Sequence, residues 1–265
     1  MGQNQEIETT LAEIVREQLG GGFALNYFTQ MHSEIGFVYF STPAAAHIRT
    51  TGSLNFAAAE ILGVDFTLEN VVQLYERQGT VLTNPKTEGI GIFDQMLEDR
   101  DVIKFTFLRD PVDRFAALFR NVFSINTKET PQRKKLFTHL GISLDENLSM
   151  LDLAELLLEE KALKQLMPQF RNQRQMTAYD LVDYSFIGRH ENWSEDYAAV
   201  SQEIFGRDVV QFDPIVAFNK DPEGAALQGN IDAETQSALR EVYRDDYDMI
   251  EEIGELFPDG FAADF

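Results

Sequence analysis

Arg109 is the residue whose type and position point most directly to chemistry. It ends an apolar run, Val102 to Leu108, in which β-branched and aromatic residues occur at strand density. Asp110 and Pro111 follow at once, and Phe115, Leu118 and Phe119 then recur at helical spacing. The pattern predicts a strand, a turn carrying Arg109, and a helix. Ligands of open α/β sheets bind at the carboxyl ends of strands, and a guanidinium there can donate to two oxygens of one phosphate-like anion. The same residues have a second use, an Arg109–Asp110 corner that holds a loop. Arg114 and Arg120 follow in the same segment, and Arg171, Arg174 and Arg189 lie together in a second one, Gln169 to Asn192, so a local positive pocket is expected in an otherwise acidic chain.

The run FTFLRDPVDRFAALFRN, residues 105–121, resembles the segment with which PAPS-dependent sulfotransferases of the carbohydrate (Golgi-type and bacterial) family hold the 3′-phosphate of the donor nucleotide. That family segment is an Arg-Asp-Pro-x-x-Arg run followed by Ser. Downstream, QFRNQRQMTAYDLVDYSFIGRHEN from Gln169 to Asn192 is similar to the family's His-Phe-Arg-Pro-Gln and Asp-Phe-Ile-Gly-Arg-Phe-Glu-Asn segments. FNK at Phe218 to Lys220 and EVYRDDYDMIE near the end are similar to family endings. The resemblance spans most of Gly36 to Ile253. It implies a P-loop-NTPase-like sulfotransferase fold, PAPS as donor and PAP as product with no metal, and transfer of a sulfuryl group to a hydroxyl of a small-molecule or carbohydrate acceptor.

It also implies a phosphosulfate loop between a strand and a helix, in the family a Pro-Lys-x-Gly-x-Thr-Ser pattern. Backbone N–H groups and the helix N-terminus cradle the anion there while the Lys stabilises the leaving oxygen. The corresponding stretch is Thr42-Pro43-Ala44-Ala45-Ala46-His47-Ile48-Arg49-Thr50-Thr51, so the Lys position is Ala44 and side-chain contacts are largely replaced by backbone ones. His47 or Arg49 can supply the missing charge, or a slid register can bring Thr50 to Ser53 to the phosphate. Arg49 never loses its proton and so is no acid. In the signature segment Arg109 remains for the 3′-phosphate, but its companion Ser is Ala117, and downstream Gln169 and Asn172 replace the family's His and Pro. Each loss costs roughly 1 to 3 kcal/mol of donor binding if nothing replaces it.

Among acid–base candidates, His32, His47, His139 and His190 are the only histidines, and His190 stands where relatives carry an aromatic, which suggests packing. Glu88 and Glu191 are possible acceptor bases, and Trp193, the single tryptophan, lines either a pocket or the core. Two functions stay open: a PAPS-dependent transferase, or a catalytically impaired relative that binds nucleotide or a protein partner. A nucleotide kinase is disfavoured, since Gly-x-x-x-x-Gly-Lys-Ser/Thr is absent.

Composition narrows the surroundings. The 265 residues suit one α/β domain over 23–265, preceded by an N-terminal helical flank over 1–22. A net charge of −22, from 44 acidic against 22 basic residues, argues against nucleic acid as partner and equally suits a merely solubilising surface. There is no cysteine, no uninterrupted apolar run of membrane-spanning length and no basic-then-apolar leader at Met1 to Thr10, from which a cytoplasmic location is expected. The oligomeric state is left open.

The remaining elements must position Arg109 and the loop. Leu11 to Leu19 reads as a helix closed by Gly20-Gly21-Gly22, and Gly36 to Phe40 as a strand. After the loop comes a helix carrying Leu54, Ala57, Ala58, Ile61 and Leu62, stopped at Gly63, and short helices are expected at Thr67–Arg77 and Gly91–Glu98. Ser149-x-x-Asp152 opens one amphipathic helix that runs to Met167. Tyr184–Ile187 and Val209–Phe212 are candidate strands, and Asp232 caps a last helix that stops at Gly254. Strands alternating with helices predict a mostly parallel central sheet flanked by helices.

Overall fold

A computed structural model of the protein describes residues 9–67, 80–123, 130–207, 209–213 and 231–256. The chain opens with helix α1 (Leu11–Gln18), where Thr10 and Glu13 form a capping box, and α2 (Gly22–Phe28). Strands β1 (Thr29–His32) and β2 (Phe37–Phe40) lead to α3 (His47–Leu62), then α4 (Pro85–Glu88) and α5 (Ile90–Glu98). Strand β3 (Ile103–Leu108) precedes α6 (Pro111–Phe123), α7 (Pro131–Leu140), α8 (Met150–Glu159), α9 (Leu163–Leu166) and α10 (Gln173–Met176). Strand β4 (Phe186–Arg189), α11 (Trp193–Phe205), α12 (Ala233–Val242) and α13 (Arg244–Leu256) complete the described chain.

The sheet has the order β1-β2-β3-β4. β1 runs antiparallel to β2, whereas β2, β3 and β4 are parallel, so the expected mostly parallel α/β sheet is present. Every residue of β2, and all of β3 after Ile103, is buried, as a strand covered on both faces requires. Parallel pairing brings the carboxyl ends of β2, β3 and β4 to one edge, with Phe40 opposite Thr106 and Leu108 opposite Arg189. One face carries Phe37, Tyr39, Phe105, Phe107 and Phe186 against α3 and α11. On the other, Val38 and Phe40 join a cluster with Ala12, Val15 and Leu19 of the first helix and Phe93 of α5.

Several expectations need correction. β1 is a strand that Thr-Gln-Met-His does not announce; its ladder to β2 makes it one. Val209–Phe212 is not a strand, since Phe212 N–H donates to Ser53 Oγ at 2.7 Å rather than to a neighbouring strand. The helix expected from Ser149 to Met167 keeps its capping box but breaks at Glu160, where φ −118° and ψ 85° turn the chain and let Leu163 bury itself separately. The last helix is two, broken at Tyr243, whose hydroxyl donates to Phe170 O, and it runs through Gly254 to Leu256. Gly20–Gly22 stop α1 but also start α2. The Thr67–Arg77 helix, beyond its first residue, and the Phe218–Lys220 segment lie outside the described residues.

Candidate functional site

The loop after β2 is anchored to the neighbouring strand, Thr42 Oγ1 donating to Phe107 O at 3.2 Å. Ala44 and Ala46 then adopt left-handed backbone, φ 62° and 57°. For a residue with a Cβ this conformation costs roughly 1 to 2 kcal/mol, so the surroundings must hold it in place. They do so from both adjacent strand ends. Arg109 Nη1 donates to Ala44 O at 3.0 Å, and Ala46 N–H donates to His190 Nδ1 at 3.1 Å. Ala46 is the N-cap of α3 and has no side-chain cap, so the imidazole occupies a backbone donor at the positive end of a sixteen-residue helix.

Accepting at Nδ1 puts the neutral imidazole's proton on Nε2. Burial and then the positive charges of Arg109 and Arg49 push His190 down to about 3. His190 is therefore uncharged at neutral pH, with the charges of Arg109 and Arg49 acting on it through space. Arg49 lies over the Trp193 ring, its Cζ 5.2 Å from the centroid, and Trp193 Nε1 donates to Thr50 Oγ1 at 2.8 Å. The indole stacks on Tyr197 at 5.0 Å, so Trp193 belongs to the core and also forms the floor beneath Arg49. His47 Nδ1 lies 3.4 Å from Thr51 Oγ1, which also accepts from Gln30 Nε2 at 2.9 Å. His47, Ile48 and Arg49 are half-buried, whereas Ala45, Ala46 and Thr50 are fully buried.

Arg109 is itself buried, 2% exposed. Its backbone is clasped by the Gln173 amide, which accepts from Arg109 N–H at 3.0 Å and donates to Arg109 O at 2.8 Å. Asp110 Oδ1 accepts from the N–H groups of Val112 and Asp113 and so caps α6. The corner use of Arg109–Asp110 is thus realised, and it is realised at the loop.

Other candidates are distributed differently. Ala44 and Ala117, the positions expected for the family's Lys and Ser, both belong to one apolar cluster with Phe115 and Leu118. Gly52 and Ser53, the end of the slid register, lie under Phe212: a Cβ on Gly52 would stand 2.5 Å from its ring, and Ser53 Oγ accepts from its N–H. Glu88 accepts from Ser33 Oγ and Thr83 Oγ1. It sits by the end of antiparallel β1, where His32 pairs with Phe37, at the sheet edge opposite the loop. Glu191 is exposed on the turn after His190, and His139 pairs with Glu160 on the surface.

The expected positive pocket does not gather all of these arginines. Arg114 is fully buried and donates to Gln169 O and Arg171 O; Arg171 reaches Leu19 O and Lys164 O; Arg174 pairs with Asp180 and Glu252. These groups tie α1, α6, α10 and α13 together. Residues 169–172 thus serve as acceptors and clamps, with Gln169 half-buried and Asn172 bonded to Lys164 and Asp245. Sequence reasoning gave no role to Gln173 and none as an acceptor to His190. The only signal was that Gln173 keeps the Gln of the family-like segment.

A sequence model described as "Sulfotransferase family" matches residues 64–250, well over half of the chain. The match includes Arg109, Gln173 and His190 and begins after the Ala44–Thr51 loop. No curated protein and no solved structure gives a significant match.

Proposed function

Because the chain belongs to the sulfotransferase family, we propose that it transfers a sulfuryl group from PAPS to a hydroxyl of a small-molecule or carbohydrate acceptor, at the sheet edge shared by the Ala44–Thr50 loop, Arg109 and His190. One observation carries this reading: Arg109 at Ala44 O, Arg49 in the first turn of α3 over Trp193, and the N-terminus of α3, where Ala46 N–H meets His190, border one loop, and their combined field favours an anion. In an in-line transfer the acceptor oxygen bonds to sulfur while the bond from sulfur to the bridging phosphate oxygen breaks. PAP leaves with that electron pair, and the acceptor proton passes to a base.

In this chain Arg49 takes the part of the missing lysine, since Ala44 belongs to the apolar cluster and a guanidinium can stabilise the leaving phosphate without giving up a proton. Arg109 keeps the loop in shape for the donor through Ala44 O. His190 is excluded as base, because it is too weakly basic and its Nδ1 already accepts from Ala46. His47, in the first turn of α3 with its ring steered by Thr51, is the residue we assign to the acceptor proton.

A second reading has its own support. Ala44 and Ala117 lie in apolar core and His190 occupies a loop amide, an arrangement suited to a chain that binds nucleotide, or a partner, without turnover. Calorimetric titration with PAP combined with a transfer assay from PAPS separates the two. Binding that Arg49→Ala weakens at least tenfold, with measurable transfer, supports the enzyme. Binding without transfer to any hydroxyl acceptor supports the second reading, and no binding of PAP removes the donor assignment from both.

A further inference from the structure

A cleft of about 1140 Å³ opens on the far side of residues 171–175 from the loop. Along this short segment Arg171, Asn172, Arg174 and Gln175 line the cleft, whereas Gln173 between them is fully buried and turned to Arg109. The cleft is therefore separate from the site at the sheet edge. On its walls Asp180 is paired with Arg174, Glu241 with Arg244, and Asp245 Oδ2 accepts from Asn172, while Glu17 is exposed to solvent.

Three cations on the same walls are engaged otherwise. Arg171 is 7% exposed; its Nε donates to Lys164 O and its Nη1 to Leu19 O, and among the described residues Nη2 has no acceptor. Lys164 Nζ donates to Asn172 Oδ1 and Val242 O and lies 5.5 Å over the Tyr243 ring, all uncharged groups; Asp245 and Asp246 act on it only through space. Lys161 is exposed at the rim. Burial alone lowers Arg171, with no carboxylate opposing it. A buried guanidinium held in place by two carbonyls, beside two ammonium groups, is a costly arrangement to maintain for packing alone in a chain of net charge −22.

We propose that this cleft is a second binding site, one that takes a small molecule through a tetrahedral oxyanion, a sulfate or phosphate ester group. Arg171 supplies planar N–H donors from the floor and Lys161 and Lys164 supply charge from the side, a three-dimensional set that suits a tetrahedral group better than a flat carboxylate. The acidic surface outside repels anions, so the selectivity is local.

The test is calorimetric titration of the full chain with inorganic sulfate and, separately, inorganic phosphate at constant ionic strength. A saturable site is expected that is weakened at least fivefold in Lys164→Gln, two- to threefold in Lys161→Gln, and unchanged in Arg49→Ala, whatever weaker binding the loop adds. Lys161→Gln removes only an exposed side chain and so decides the matter if Lys164→Gln does not fold. A preference between the two ions identifies which ester the cleft takes. The proposal is overturned if neither ion binds, if binding is the same in both lysine variants as in the parent, or if Arg49→Ala abolishes it, which would put the ion at the loop.

Discussion

The side-chain amide of Gln173 forms a closed pair of hydrogen bonds with the backbone of Arg109, accepting at 3.0 Å and donating at 2.8 Å across 64 residues of sequence. The end of β3 would otherwise bury an N–H and a carbonyl without partners. Gln173→Leu keeps the volume but strands both groups, and should cost about 2 to 4 kcal/mol in urea denaturation. Its effect on PAP affinity should exceed that of Gln169→Leu, whose side chain reaches only Met167 Sδ. Equal stability of Gln173→Leu and the parent would show that water replaces the amide.

His190 makes stability depend on pH in a definite direction. Its folded value, about 3, lies below the ordinary 6.5, so between these limits the unfolded chain holds the proton and the folded chain does not. The contribution is complete above pH 6.5 and is lost as pH falls toward 3. Lowering pH from 7.5 to 5.5 should therefore cost the parent about 1 kcal/mol more than His190→Gln, read from urea midpoints at the two pH values. Parallel midpoints in parent and variant would mean that the imidazole is protonated in the fold.

The strand–Arg109–helix unit was legible because every part of its signal is local: a run of strand-forming residues, Asp110 as cap, Pro111 at the first turn. The capping boxes and caps at Ser149 and Asp232 were legible for the same reason. β1 was not, because four mixed residues become a strand only by pairing with β2, and Val209–Phe212 misled because Phe212 packs on Gly52 and donates to Ser53 instead of joining the sheet. At the site, Arg109 could be placed at a strand end, but its hold on Ala44 and the bond from Ala46 to His190, 144 residues away, arise from the parallel register alone. The arginines of the two segments suggested a local positive pocket; the fold uses Arg114 and Arg174 to bridge helices.

Restoring the family's lysine should fail. Ala44 lies in the apolar cluster that holds Phe115 and Leu118, at φ 62°, so Ala44→Lys must bury an ammonium in apolar core or displace the loop. The expected cost is about 3 kcal/mol by chemical denaturation, with PAP affinity lowered rather than raised. A variant of unchanged stability with faster sulfuryl transfer would show that the loop can turn Ala44 toward the donor, and Arg49 would lose the role assigned to it.

Trp193 offers a direct reading of the loop, since it is the only tryptophan and Arg49 sits 5.2 Å above its ring. The contact is worth about 0.5 to 1 kcal/mol, less than a charge-assisted bond from a guanidinium to phosphate, so an anion bound at the loop should draw Arg49 from the indole. Titration with PAP should then change Trp193 emission with the same midpoint as the calorimetric curve, and the change should vanish in Arg49→Ala. Inorganic sulfate, bound in the distant cleft, should leave the emission unaltered at concentrations that saturate that cleft. Emission that ignores PAP while heat is released would locate the nucleotide away from Arg49 and α3.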